Sequence, residues 1–189
     1  MPRPKVGDKR TEIIHAAIEK IAVEGVSAST AGIAKAAGMA EGSLFRYFED
    51  KDTLLNEVYL AIKSEMKEPL TELFPAKGSL KKRAEHLWNG YVSWGAAHPT
   101  KRQALTQLTV SDRITAESQK AGSEGILVMP TVMEVIATGR LGTLPPSFAQ
   151  ALFVSIADAT MMCMTQDPGR AAEYKAAGFA SFWSAATKA

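Results

Sequence analysis

The chain has one cysteine, Cys163, so no disulfide framework holds it together, and a lone thiol suits a reducing, cytoplasmic setting. No run of 18 or more apolar residues occurs, which leaves no obvious membrane-spanning helix. The opening Met-Pro-Arg-Pro-Lys has no apolar stretch behind it and does not read as a secretory signal. The three histidines, His15, His86 and His98, are scattered without metal-ligand spacing. No His-Glu-x-x-His, Gly-rich phosphate loop or Gly-x-Ser-x-Gly elbow is present, and Gly122-Ser123-Glu124-Gly125 is one residue too short for the last. Glu85 and His86 are neighbours on a helix and point apart. No catalytic residue, metal or cofactor is expected. The alternation of a half-buried sheet is also missing, so the expected fold is all-α, with 189 residues enough to bury a core.

The formal net charge is only +2, and over residues 1–67 ten Lys/Arg offset ten Asp/Glu. A uniformly basic nucleic-acid-binding domain is excluded. Arg3, Lys5, Lys9 and Arg10 against Asp8 do concentrate positive charge at the start. Residues 1–8, with Pro2 and Pro4, read as a flexible basic arm. It either touches phosphates or the minor groove, or is a solvated tail.

The informative stretch is residues 30–48. Thr30 is placed to cap a short helix whose Ile33, Ala34 and Ala37 share a face, and Gly38 ends it. Leu44, Tyr47 and Phe48 restart the period. Two turns of helix cannot stand alone, so the pair must pack against a roof. Residues 9–24 supply one, with Ile13, Ile14, Ala17, Ile18, Ile21 and Ala22 in a stripe and Gly25 at its end. Two short helices joined by a tight turn are a helix-turn-helix, whose second helix enters the major groove of DNA.

Thr-x-x-Ile-Ala-x-x-Ala-Gly-Met-x-x-Gly-Ser-Leu-Phe-x-Tyr-Phe, followed by Asp50-Lys51-Asp52-x-Leu54-Leu55, resembles the signature of the TetR family of transcription regulators over the first third of the chain. The resemblance implies an N-terminal helix-turn-helix domain over 9–67 and an effector-binding and dimerisation domain over 69–189, with Pro69 closing the helix between them. It implies DNA contacts from Thr30, Glu41, Gly42, Ser43, Phe45, Arg46, Tyr47 and Lys51. Arg46 is the expected base reader, because a guanidinium pairs with guanine O6 and N7. Ser43 suits a base edge or phosphate, Phe45 a thymine methyl, and Thr30, Tyr47 and Lys51 phosphates. Glu41 repels phosphate but can accept from cytosine N4. Gly42 lets the helix approach closely. Ala31 stands where some members carry an arginine for a base.

Beyond residue 69, helices are expected near 79–98, 100–110, 112–139 (broken around Gly122, Gly125 and Pro130), 146–165, and from an Asp167-Pro168 start to about 187. Trp88, Tyr91, Trp94, Met129 and Met133 are candidate effector-pocket residues, since aromatic and methionine side chains line adaptable apolar sites. The helix at 147–164 is apolar on two sides, and a helix apolar on most sides is buried on most sides. That points to a homodimer interface using Phe153, Ala157, Met161, Met164, Gly178 and Phe182, or to an ordinary core. The expected function is a homodimeric repressor on a palindromic operator, released by a small apolar or aromatic ligand. A ligand-dependent activator or corepressor-type regulator, and a helical enzyme or binding module with an incidental helix-turn-helix, are the alternatives.

Overall fold

A computed structural model describes residues 6–137 and 139–187, and among them every regular element is helical. In chain order these are α1 (Val6–Glu24), α2 (Thr30–Ala36), α3 (Glu41–Leu44), α4 (Lys51–Thr71), α5 (Leu80–Ala97), α6 (Pro99–Thr109), α7 (Ala116–Ser123), α8 (Val128–Ala137), α9 (Pro146–Gln166) and α10 (Ala171–Ala186), with short 3-10 turns at Gly25–Ser27 and Pro168–Arg170. They group into two compact units that do not follow one another along the chain. The first comprises the residues up to Glu65 together with His98–Glu124, and the second Met66–Ala97 together with the residues from Gly125. Residues 98–124 therefore belong with the N-terminal helices, a division that the expected boundary at residue 69 does not contain.

In the first unit α1 is the roof, packed on α2 and on α6. Ile13, Ala17 and Ile21 are wholly buried, as the stripe requires. Gly25 (φ 69°) ends α1 and Gly38 (φ 65°) ends α2, both in the left-handed region that a side chain disfavours. Ile33, Ala34, Leu44, Leu54, Leu55, Val58 and Ile62 complete the core at zero exposure. α1 begins three residues earlier than expected. The backbone of residues 6–8 is thus helical, and the rest of the basic arm lies outside the described residues.

In the second unit α5 packs on α8 and α9, and α9 packs on α10. Trp88 is its centre. Its indole N–H donates to the Lys175 carbonyl at 3.0 Å, its ring is parallel to Phe182 at 6.2 Å, and Phe153 meets it edge-on at 5.6 Å. α9 has the length and mean hydropathy (1.4) of a membrane-crossing helix, yet its Ala149, Phe153, Ala157, Met161 and Met164 side is buried in this unit. About a third of its apolar window is buried, on the side that packs on α5 and α10.

Several local expectations are corrected. Pro69 does not close α4, which runs on to Thr71 with Glu72 N donating to Glu68 O at 3.0 Å. Buried Leu70 anchors that turn, and Gly90 of α5 sits where a Cβ would lie 2.7 Å from the Pro69 carbonyl, so packing offsets the missing N–H. Pro130 does not break α8, because it occupies the first turn, where an N–H has no helical partner. Gly122 lies inside α7, and the break follows at residues 124–127. Asp167 does not cap a helix with its side chain; a 3-10 turn intervenes and α10 starts at Ala171.

Candidate nucleic-acid interface

The helix-turn-helix is built from α2 and α3. Ser29, not Thr30, caps α2: its hydroxyl accepts from Gly32 N at 3.0 Å. Thr30 is the first helical residue, and its hydroxyl donates to the Glu41 carboxylate, tying the start of α2 to the start of α3. The turn between them closes through Gly38 N to Lys35 O at 3.1 Å and Met39 N to Ala34 O at 2.9 Å. Leu44 (0% exposed) and Phe48 (1%) plug α3 and its following turn into the core. α3 itself is a single turn. Phe45, Arg46 and Tyr47 continue it as hydrogen-bonded turn, with Tyr47 N and Phe48 N both on Leu44 O.

That geometry sends one set of side chains outward. Glu41, Gly42, Phe45 and Arg46 are exposed, and Ser43 and Tyr47 are half-buried. Phe45 is an exposed aromatic at 44%. The backbone N–H of Arg46 donates to Ser43 O at 3.3 Å, but its guanidinium makes no hydrogen bond or ion pair with another described residue, so its five donors are available. Lys51, at the first position of α4, is half-buried. Burial first, then the Arg113 guanidinium, push its ammonium below the ordinary lysine value, while Asp52 acts the other way. Asp50 caps α4 by accepting from Thr53 N at 2.7 Å, a bond that holds its carboxyl below the usual carboxylate value.

Four residues around this motif carry contacts that sequence reading did not register. Lys9 donates to the Ala37 carbonyl at 2.9 Å. Arg10 donates to the Tyr47 carbonyl, takes both oxygens of Glu57, and lies 4.5 Å above the Phe48 ring. Asn56 bridges α4 to the turn before α7: its amide donates to Arg113 O at 2.9 Å and its oxygen accepts from Thr115 N at 2.9 Å, while Arg113 pairs with Asp52 at 2.7 Å. These partners lie 28 to 61 residues apart in sequence, beyond any local pattern. Lys9 and Arg10, counted with the positive charge of residues 1–10, are tied to other parts of this unit.

The candidate effector residues are only partly gathered. The second unit holds a partly open pocket of about 10 Å³, room for about one water, lined by Ala84, Leu87, Trp88, Val128, Thr131, Val132, Phe153 and Phe182. Trp88 lines it, but Tyr91, Trp94, Met129 and Met133 do not. The six expected interface residues are also relocated. Phe153, Ala157, Met161, Met164, Gly178 and Phe182 are all buried inside the single chain, with Phe153 and Phe182 on the pocket wall. A partner cannot bury them again. The outward side of α9 instead carries Phe148 (52% exposed) and Met162 (51%).

Comparison with known proteins bears on the same elements. Residues 13–58 match the family profile described as bacterial regulatory proteins, tetR family. Over 96% of this chain and 99% of the other, the fold superposes with a TM-score of 0.75 at 28% identity on a Shewanella sp. PV-4 protein assigned to the tetR-family transcription regulators. LfrR from Mycobacterium smegmatis, a TetR-like transcriptional regulator solved in complex with proflavine, shares the fold at TM-score 0.61 and 18% identity over 96% and 98% of the two chains. The transcriptional regulator FadR from Bacillus subtilis, solved in complex with stearoyl-CoA, does so at 0.62 and 18% over 92% and 97%.

Proposed function

We propose that this chain, a member of the TetR family of transcription regulators, is a homodimeric repressor that holds a palindromic operator until a small ligand with an apolar or aromatic body releases it. The observation that carries the reading is the outward row of Glu41, Gly42, Phe45 and the unengaged Arg46, on a single helical turn pinned into the core by Leu44 and Phe48. Arg46 is the base reader, worth about 1–3 kcal/mol of discrimination at guanine. Ser43, Tyr47 and Lys51 take base edges or phosphates on either side. Thr30 holds the Glu41 carboxylate, which leaves Glu41 one oxygen for an amino group on a base edge.

Dimerisation uses the outward side of α9, with Phe148 and Met162, beside the exposed alanines of α10, Ala172, Ala176, Ala177 and Ala180. Small residues there let helices of two copies approach closely. A two-fold dimer presents two reading turns and so requires a palindromic site. Release follows from linkage: a ligand that favours a conformation with wrongly placed reading turns weakens DNA binding by the factor that DNA weakens its own. The aromatic wall of Trp88, Phe153 and Phe182 suits such a ligand once the pocket widens. The proflavine and stearoyl-CoA complexes of similar folds support apolar-bodied ligands for this architecture.

The test is a fluorescence-anisotropy titration on the DNA upstream of the protein's own gene, at several salt concentrations, for the native chain and Arg46→Ala. Tight, salt-steepened binding that the substitution weakens is the expected result. Equal binding to random DNA, unaffected by the substitution, refutes the reading.

A further inference from the structure

Lys9 and Arg10 stand side by side at the start of α1, and each ties down one helix of the helix-turn-helix. Successive helical residues point about 100° apart, so the two side chains diverge. The Lys9 ammonium donates to the carbonyl of Ala37, the residue that terminates α2. Arg10 donates to the carbonyl of Tyr47, in the turn that follows α3. The Ala37 carbonyl caps the C-terminus of α2, where carbonyls lack helical partners and carry the negative end of the dipole, and the Tyr47 carbonyl lies in the turn after α3, so each is an acceptor that a cation suits. Neither cation is loose. Lys9 is also paired with Glu12, and its side chain is 21% exposed. Arg10 is fixed three ways: Nε donates to Glu57 at 3.0 Å, its terminal nitrogens reach Glu57 and Tyr47, and its plane lies on Phe48. A two-point guanidinium–carboxylate pair fixes orientation as well as distance.

We propose that Lys9 and Arg10, with Glu57 behind Arg10, are positioning residues for DNA recognition: they set the angle between α2 and the reading turn, and neither contacts DNA. The consequence for DNA rests on the regulator reading above. Reading a base edge needs the reading turn placed within a fraction of an ångström, whereas attraction to phosphates tolerates a tilt. Loosening the brace therefore removes specificity and leaves non-specific affinity.

The opposite assignment, in which these cations belong to a DNA-contacting basic segment, makes opposite predictions at two points. A phosphate contact contributes about 0.9 to the slope of log affinity against log salt, so removing one makes the slope shallower by that amount. Removing the Glu57 charge would then tighten DNA binding. The brace predicts an unchanged slope and a loss.

The experiment selects a preferred duplex from a random library with the native full-length protein. It then measures that duplex and a random-sequence duplex over a salt series for the native chain, Arg10→Lys, Glu57→Gln, Lys9→Met and Arg10→Met, with a thermal melt of each. Arg10→Lys and Glu57→Gln preserve shape and stand in should Arg10→Met fail to fold. The expected result is a fall in the specific-to-random affinity ratio of roughly tenfold, the size of one lost base contact, with the random-duplex slope unmoved. A slope shallower by about 0.9 per removed cation, or tighter binding by Glu57→Gln, overturns the proposal. So does a lowered melting temperature with an unchanged ratio, which would make the brace a scaffold only. If the native protein selects no duplex, the regulator reading itself falls.

Discussion

Gly42→Ala separates stability from function in one substitution. Gly42 is the second residue of α3, has an ordinary helical φ, and a Cβ built on it meets nothing within 4 Å. Alanine exceeds glycine by about 0.8–1.0 kcal/mol in a helix interior, and less at a helix end, so a gain of about 0.5–1 kcal/mol is expected here. For a chain of this size that raises the melting temperature by about 1–4 °C. Gly38→Ala supplies the contrast. Nothing crowds its Cβ either, but its φ of 65° is left-handed, and forcing a side chain into that region costs about 1–2 kcal/mol. The two substitutions add the same methyl group with opposite signs of ΔΔG. The Gly42 methyl would stand on the exposed row beside Arg46, the side that the proposed function sets against the groove. Loss of one close approach, about 1–3 kcal/mol, weakens operator binding about 5- to 150-fold. The assay pairs a calorimetric melt with anisotropy on a selected duplex. A more stable Gly42→Ala that binds DNA as well as the native chain would refute the placement of Gly42 against the groove. A less stable one would refute the open, helical environment drawn for it.

Three further predictions follow from the packing. Gly178→Ala puts a Cβ 2.2 Å from Thr160 Oγ1 and 2.7 Å from Trp88 Cζ2, so overpacking of about 1–3 kcal/mol offsets the helix gain of about 1, and a melt shows net destabilisation. Phe153→Ala removes the ring that meets Trp88 and Phe182 edge-on and enlarges the existing pocket, costing about 3–5 kcal/mol in a urea titration. Lys63, whose ammonium lies 5.7 Å from the Tyr59 ring, is held below its ordinary value by burial. Between its folded and unfolded values the unfolded chain holds more protons, so this group makes stability rise with pH through a window that ends at the lysine value of about 10.4. Lys63→Met removes that rise. It is more stable than the native chain below the window, and the difference shrinks as pH rises through it, as urea titrations between pH 7 and 10.5 would show.

What the sequence by itself determined is the set of elements and the motif. Apolar spacing of 3.6 marked α1, α4 and α5. Gly25 and Gly38 marked helix ends because only a left-handed residue serves there, and Asp50 marked the start of α4. The outward row on α3 was legible because Leu44 and Phe48 name the inward side, and what remains must face out. Single-residue assignments between equivalent neighbours were less secure, as Ser29 shows: either of two adjacent hydroxyls can cap, and only the backbone angle of the residue before the helix chooses. Only the tertiary structure decided which apolar side of α9 faces in. The Phe148 side and the Phe153 side are both apolar, and periodicity cannot tell a side that meets α5 and α10 from one left open. Tertiary packing also overrode Pro69, because the chain lost one hydrogen bond there while Leu70 and Gly90 closed against each other's helices. And it tied Lys9 and Arg10, both still part-exposed, to the carbonyls of Ala37 and Tyr47. Charge counts by sequence assign such residues to solvent or to a ligand, but a carbonyl that ends a helix is an acceptor too, and only folding brings it within reach.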